Sequence, residues 1–339
     1  IKKERLGRWL EDLGKEYEIW APVKENRLVF FHPIESAKEI YFDFYSTKKT
    51  PKDLFFPQSE VLFSFRRGEI EKETYSSLEK PRIIFAIRPC DAKSLALLDK
   101  VFNSEDYQDP YYVERQKGTL LLGMACIHPQ TTCFCTSVGG GPFEKTCLDL
   151  LMVDLGNNRY LVEAVTQAGK DLMGRDGPFE DAQEVDKETL AKIKKEAELK
   201  IKSKVVIEGL EEKLDKIFDS SFWDQVHQRC LGCAICTYLC PTCHCFALLD
   251  EKIDSRGQRV RSWDSCMFPA FTLEASGHNP RISNRERMRQ RVMHKFNYFV
   301  KKYDQTACVG CGRCIQNCPV NVDIREIIKE IGNEQPLSS

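Results

Sequence analysis

The chain has 339 residues, 42% hydrophobic and 30% charged, enough for two domains and a substantial buried core. Lys+Arg 50 against Asp+Glu 51 leaves a net charge of -1, which argues against a nucleic-acid binder. The longest apolar runs, at 83–87 and 119–127, are too short to span a membrane. No secretory signal opens the sequence, so its sixteen cysteines, grouped in tight clusters, point to metal binding in a reducing cytoplasm rather than to disulfides.

In chain order, Leu6, Trp9, Leu10 and Leu13 recur at helical spacing and predict an N-terminal helix. Residues 21–80 predict short strands, at 27–31 and 61–65 above all. PRIIFAIRPCD (81–91) predicts an apolar strand ending in a Pro turn, followed by a helix over 92–102 and a second apolar strand over 119–126. Strand, helix and strand in that order predict an α/β unit with a parallel pair. CLDLLMVDLGNNRYLVEAV (147–165) predicts a hairpin around GNN. The polar, Gly-rich stretch 170–182 is a domain boundary by composition, and 183–219 predicts an amphipathic helix or helix pair with a solvated charged face. The expected fold class is α+β. An α/β domain with a short mixed sheet (1–180) leads through a helical linker (181–228) to a mostly helical domain (229–339) in which long strands are not expected.

CLGCAICTYLCP (230–241) and CVGCGRCIQNCP (308–319) share the pattern C-x2-C-x2-C-x3-C-P. This is the spacing of ferredoxin-type [4Fe-4S] ligation, in which the fourth cysteine of each run reaches the other cluster. Structural zinc would show two separated Cys pairs instead. The expected ligand sets are therefore crossed: Cys230, Cys233, Cys236 and Cys318 for one cluster, Cys308, Cys311, Cys314 and Cys240 for the other. The long helical segment between the runs suggests an α-helical ferredoxin arrangement. Two adjacent clusters with no open ligand position make a wire. Cys243, Cys245 and Cys266 lie between the runs and would hold a further cluster if a fourth ligand, for instance Cys147, joined them; buried thiols packed round the existing clusters are the plainer alternative. The stretch 277–295 is basic, and Arg281 is the expected countercharge to the thiolate clusters.

Cys90 follows one apolar strand and Cys126 ends another. In parallel neighbours, both thiols would emerge at the carboxyl edge of the sheet, where ligands gather in α/β folds. The following loop delivers Cys133 and Cys135, and four thiols suit a cubane or a tetrahedral zinc equally. Asp91 is either a substitute ligand or a turn residue. No nucleotide-binding glycine motif is present, and GGGP (139–142) lacks the helix and Lys of a phosphate loop, so FAD and NAD are not expected on this chain.

The tandem runs, together with CPTCHCF, WDSC, GHNPR, HKFNYF, RPCDAKSLALLDKVF, DPYY and CIHPQTTCFCTSVGGGP, resemble a family of electron-transfer proteins. Its members include the iron–sulfur subunits of anaerobic sulfite reductases and the beta subunits of soluble NAD(P)-linked sulfhydrogenases. The resemblance spans residues 20–325. It implies an anaerobic electron-transfer subunit beside a flavin- and NAD(P)-binding partner and a separate catalytic subunit, with related subunits in heterodisulfide-reductase-type complexes. It also favours a third [4Fe-4S] cluster on Cys90, Cys126, Cys133 and Cys135. Two rivals stand beside this reading. One is a self-contained enzyme with an open N-terminal metal position and His128 as acid or base; the other is an iron–sulfur sensor, for which the charge balance gives no support.

Overall fold

A computed structural model describes residues 1–73, 78–174 and 177–333. Arg175 and Asp176 of the predicted boundary stretch, and the last six residues of the predicted C-terminal domain, lie outside the described residues.

The first sheet has six strands: β1 (Glu18–Glu25), β2 (Leu28–Pro33), β5 (Arg82–Ile87), β6 (Thr119–Met124), β7 (Leu150–Asp154) and β8 (Tyr160–Ala164), in the order β2-β1-β5-β6-β7-β8. β1, β5, β6 and β7 run parallel, and the antiparallel neighbours β2 and β8 close the two edges. This is the short mixed sheet expected, with the parallel pair and the GNN hairpin in place. The apolar runs buried on both faces of β5 and β6 belong in such a setting, because helices cover a parallel sheet on both sides. One face packs on the helix Lys3–Leu13 through Leu6, Trp9, Leu10 and Leu13, the other on the helix Pro89–Phe102.

The second sheet, of four strands, comprises β3 (Ser59–Arg66), β4 (Glu69–Glu73), β9 (Phe246–Ile253) and β10 (Arg256–Trp263), in the order β4-β3-β10-β9. Two eight-residue strands thus stand where none were expected, between the tandem cysteine runs. Their physical concealment is plain. β9 is an edge strand exposed almost throughout, so no period-two alternation of apolar residues marks it. β10 pairs with β3 at Ser262↔Ser59 through Arg256↔Arg66, so this sheet joins segments on both sides of the sequence boundary. Arg261, 3% exposed, fastens the joint by pairing with Glu60 at 2.6 Å and with Asp109.

The remainder of the second half is helical, around a core that includes Trp223, Met288, Val292, Phe296, Ile324 and Ile328. The helix Asn284–Met293 begins with a capping box on Ser283 and Glu286 and runs into a π-helical turn, His294–Tyr298.

Candidate metal centres

The structure brings the two tandem cysteine runs against each other. A cavity is lined by Cys230, Cys233 and Cys236 from the first run and by Cys314 and Cys318 from the second, with Met267 and Met288 as its apolar wall. Cys308, Cys311 and Cys314 lie within electrostatic range of one another and of Cys240, the last cysteine of the first run. Each run turns through left-handed backbone, at Gly232 and Ala234 in the first and at Gly310 and Gly312 in the second. Backbone N–H groups then point at sulfur: Gly232 N to Cys230 Sγ at 3.3 Å, Gly310 N to Cys308 Sγ at 3.4 Å and Val322 N to Cys318 Sγ at 3.1 Å.

The donor set suits an anionic metal cluster. Burial pushes the Cys308 thiol up to about 11 and raises Cys311, Cys314 and Cys236, so solvent alone does not ionise them. Iron would supply the stabilisation that the thiolates lack. Among the described residues no three Cys, His, Asp or Glu side chains stand close enough to hold a single ion.

Buried cations surround the sulfurs. Lys295, 4% exposed, donates to Cys240 Sγ at 3.3 Å, Thr242 Oγ1 at 3.2 Å and the Ala307 carbonyl at 2.9 Å. Arg291 is also 4% exposed; its Nε has no partner, and it faces Cys236, Cys314, Cys243 and Cys240. Lys52 donates to the carbonyls of Cys240 (3.1 Å) and Cys243 (2.8 Å) and sits over the Trp263 ring. Arg291 and Lys295 are thus buried countercharges to the sulfurs, a role that the sequence reading, which singles out Arg281, leaves open for them. Buried Arg287, Arg291 and Lys295 recur every four residues on the inward face of one helix. That period was readable, but charged residues are seldom buried and the stretch reads as basic surface.

The four N-terminal thiols also converge. A bulge between Phe85 and Ile87, with buried Ala86 at φ 58, ends β5. Pro89 then opens the helix Pro89–Phe102 and puts Cys90 in its first turn, where burial and the adjacent Asp91 carboxylate hold its thiol well above the ordinary range. Cys126 follows β6. Cys90 lies in electrostatic range of Cys126, and Cys133 and Cys135 lie in range of Cys126. Burial pushes Cys133 up to about 12 and Cys135 up to about 11.

This thiol group abuts the second tandem run. Cys90, Cys133 and Cys135 all lie within electrostatic range of Cys311. Phe134 N donates to the Gly310 carbonyl at 2.9 Å, and Cys133 Sγ approaches the Cys311 carbonyl at 3.8 Å. Gly310, at φ +63, leaves so little space that a Cβ there would lie 2.5 Å from Cys135 N. Asp91 is occupied elsewhere: its two oxygens receive Arg313 at 2.6 and 2.8 Å, and both side chains are 1% exposed. Sequence reasoning missed Arg313, whose partner lies 222 residues away. His128 places Nδ1 at 3.3 Å from exposed Lys200 Nζ. Cys147 stands apart beside Asp99 and Asp149 and does not join Cys243, Cys245 and Cys266.

The 4Fe-4S dicluster domain family matches residues 229–322, which places the chain among iron–sulfur proteins of the electron-transfer class. The chain is 31% identical over 324 residues to sulfhydrogenase 2 subunit beta of Pyrococcus furiosus, a match covering 95% of this chain and 93% of that protein. It belongs to the sulfhydrogenase beta subunit family. No solved structure matches it, and no described helix is long and apolar enough to cross a membrane.

Proposed function

We propose that this chain is the relay subunit of an anaerobic, cytoplasmic oxidoreductase complex, carrying three [4Fe-4S] clusters in line. Cys230, Cys233, Cys236 and Cys318 would hold the first, Cys240, Cys308, Cys311 and Cys314 the second, and Cys90, Cys126, Cys133 and Cys135 the third. Such clusters supply one-electron storage and transfer. The observation that carries the reading is the direct docking of the loop 133–135 on the run 308–314, which leaves no protein layer between the third thiol group and the second.

The chain's own groups do the rest. Lys295 and Arg291 balance buried sulfur charge, backbone N–H groups bond the sulfurs, and Asp91–Arg313 fixes the third group against the second. Cys233 is exposed beside Leu231 and Val320, so the first site reaches the surface. Electrons would pass between a flavin- and NAD(P)-binding partner and a catalytic subunit of the sulfite reductase, NiFe hydrogenase or heterodisulfide-reductase type. FAD and NAD would be bound by the partner.

Iron per chain in anaerobically purified protein tests the reading. About twelve irons are expected. About eight would remove the third cluster, and zinc at that site would make it structural.

A further inference from the structure

Apart from Cys147, the thiols that the three-cluster relay does not use are Cys243, Cys245 and Cys266. The hairpin β9–β10 brings them together at its open end. Phe246 pairs with Trp263, and Asp264 N donates to the Cys245 carbonyl at 2.9 Å, so Cys245 leads into one strand as the other departs toward Cys266. The Cys245 and Cys266 thiols are near neighbours at this end of the hairpin and perturb each other's ionisation.

Cys240 and Cys243 interact in the same way, but Cys240 is a ligand of the proposed relay, whereas neither Cys245 nor Cys266 is one. The base of the hairpin is also held firmly. Tyr238 OH donates to the Trp263 carbonyl at 3.2 Å, Thr237 and Ser265 hydroxyls bond at 2.8 Å, and Trp263 Nε1 donates to the Phe56 carbonyl at 3.1 Å. The two sulfurs are thus positioned to join with little backbone movement.

The pair also lies beside the relay. Cys266 is in electrostatic range of Cys236, a ligand of the first proposed cluster. Cys243 bridges the other way, in contact with Cys240 of the second and in range of Cys245. Lys295 and Lys52 lie near Cys245, and Arg291 lies near Cys266. The Cys266 thiol and these lysines hold the Cys245 thiol down to about 7, which favours the thiolate that thiol–disulfide chemistry requires.

We propose that Cys245 and Cys266 form a redox-active dithiol, a two-electron, two-proton store beside the one-electron relay. The inference rests on the tandem clusters of the reading above. In the reducing direction the Cys245–Cys266 S–S bond breaks, two electrons arrive, one drawn from each of the two reduced tandem clusters, and two protons arrive from solvent at the half-buried sulfurs. The products are two thiols. Oxidation reverses each term, returning two electrons and releasing two protons.

The test is differential alkylation of the anaerobic holoprotein poised at a series of potentials, followed by peptide mapping. Cys245 and Cys266 are expected to lose the thiol label together, with a tenfold change per about 30 mV as a two-electron couple requires, and to yield a linked peptide. In Cys266→Ser, Cys245 should label at every potential while iron per chain stays at the wild-type value. Cys245→Ser is the reciprocal variant, and the wild-type map needs neither. Labels that do not change with potential, or a loss of about four irons in Cys266→Ser, would overturn the dithiol. Wild-type iron too low for two cubanes would overturn the relay reading itself and the inference with it, so the two failures are distinguishable.

Discussion

Replacing Asp91 by Asn tests whether the third thiol group is locked to the second. The carboxylate receives Arg313 Nη1 at 2.6 Å and Nη2 at 2.8 Å, with both side chains 1% exposed. For charge centres roughly 4 Å apart at an effective dielectric of about 20, the attraction is about 4 kcal/mol. Removing one partner of such a pair costs about 3–5 kcal/mol, chiefly because the other charge is left buried. After the substitution Arg313 keeps only neutral acceptors there, the amide oxygen of the new Asn and the Thr47 carbonyl and hydroxyl. At about 2 °C per kcal/mol for a chain of this size, an anaerobic melt should fall by roughly 6–10 °C. Asp91→Leu/Arg313→Leu should recover most of that loss, since apolar side chains are tolerated where an ion pair was buried. A fall below about 2 °C in the single variant, or a double variant as damaged as the sum of the singles, would refute the reasoning.

Gly310→Ala should separate the third group from the second, because its Cβ meets Cys135 N at 2.5 Å and Cα at 2.6 Å in left-handed backbone; iron analysis should show about four fewer irons with the tandem clusters retained. Lys295→Met removes a buried cation that donates to Cys240 Sγ, and a redox titration should find a tandem-cluster potential lower by on the order of 50 mV, because the reduced cluster carries the extra negative charge. His244 and His294 meet edge to face at 5.3 Å, and burial holds them down to about 4 and about 3. Both are neutral in the native state at pH 5, while the unfolded rings protonate below about 6.5. Stability should therefore fall as pH drops from 6.5 to 4, by up to roughly 1.4 kcal/mol per pH unit for each ring. His294→Phe should halve the slope of melting temperature against pH in that window, and an unchanged slope would contradict the assignment.

The sequence shows most plainly what depends on local order. The runs of β5 and β6 are apolar because both faces are covered, and the spacing of each tandem motif follows from the tight turns that present three thiols on one loop. The second sheet was hidden for the opposite reason. Its outer strand buries little, and its inner strand pairs with β3 nearly two hundred positions earlier, so neither periodicity nor proximity marks it. The buried cations were hidden by their chemistry. Arg291 and Lys295 occupy positions that a helical period marks as core, and only the sulfurs on the facing segments explain charge there. Asp91 likewise reads as a helix-start residue until Arg313 is folded against it.

These long-range joints bear directly on electron transfer. A relay needs fixed donor separations, and flexible tethering of two modules would not supply them. Here Arg261 binds the hairpin β9–β10 to Glu60 and Asp109, Asp91 binds the second cysteine run to the helix carrying Cys90, and the backbone of Phe134 bonds that of Gly310. Two of these contacts are buried ion pairs, whose desolvation makes them a weak source of net stability. Their value lies in geometry. A bidentate Arg–carboxylate pair admits one orientation, and where a misplacement would lengthen the path between neighbouring sulfur groups, that specificity is the physical return for burying charge.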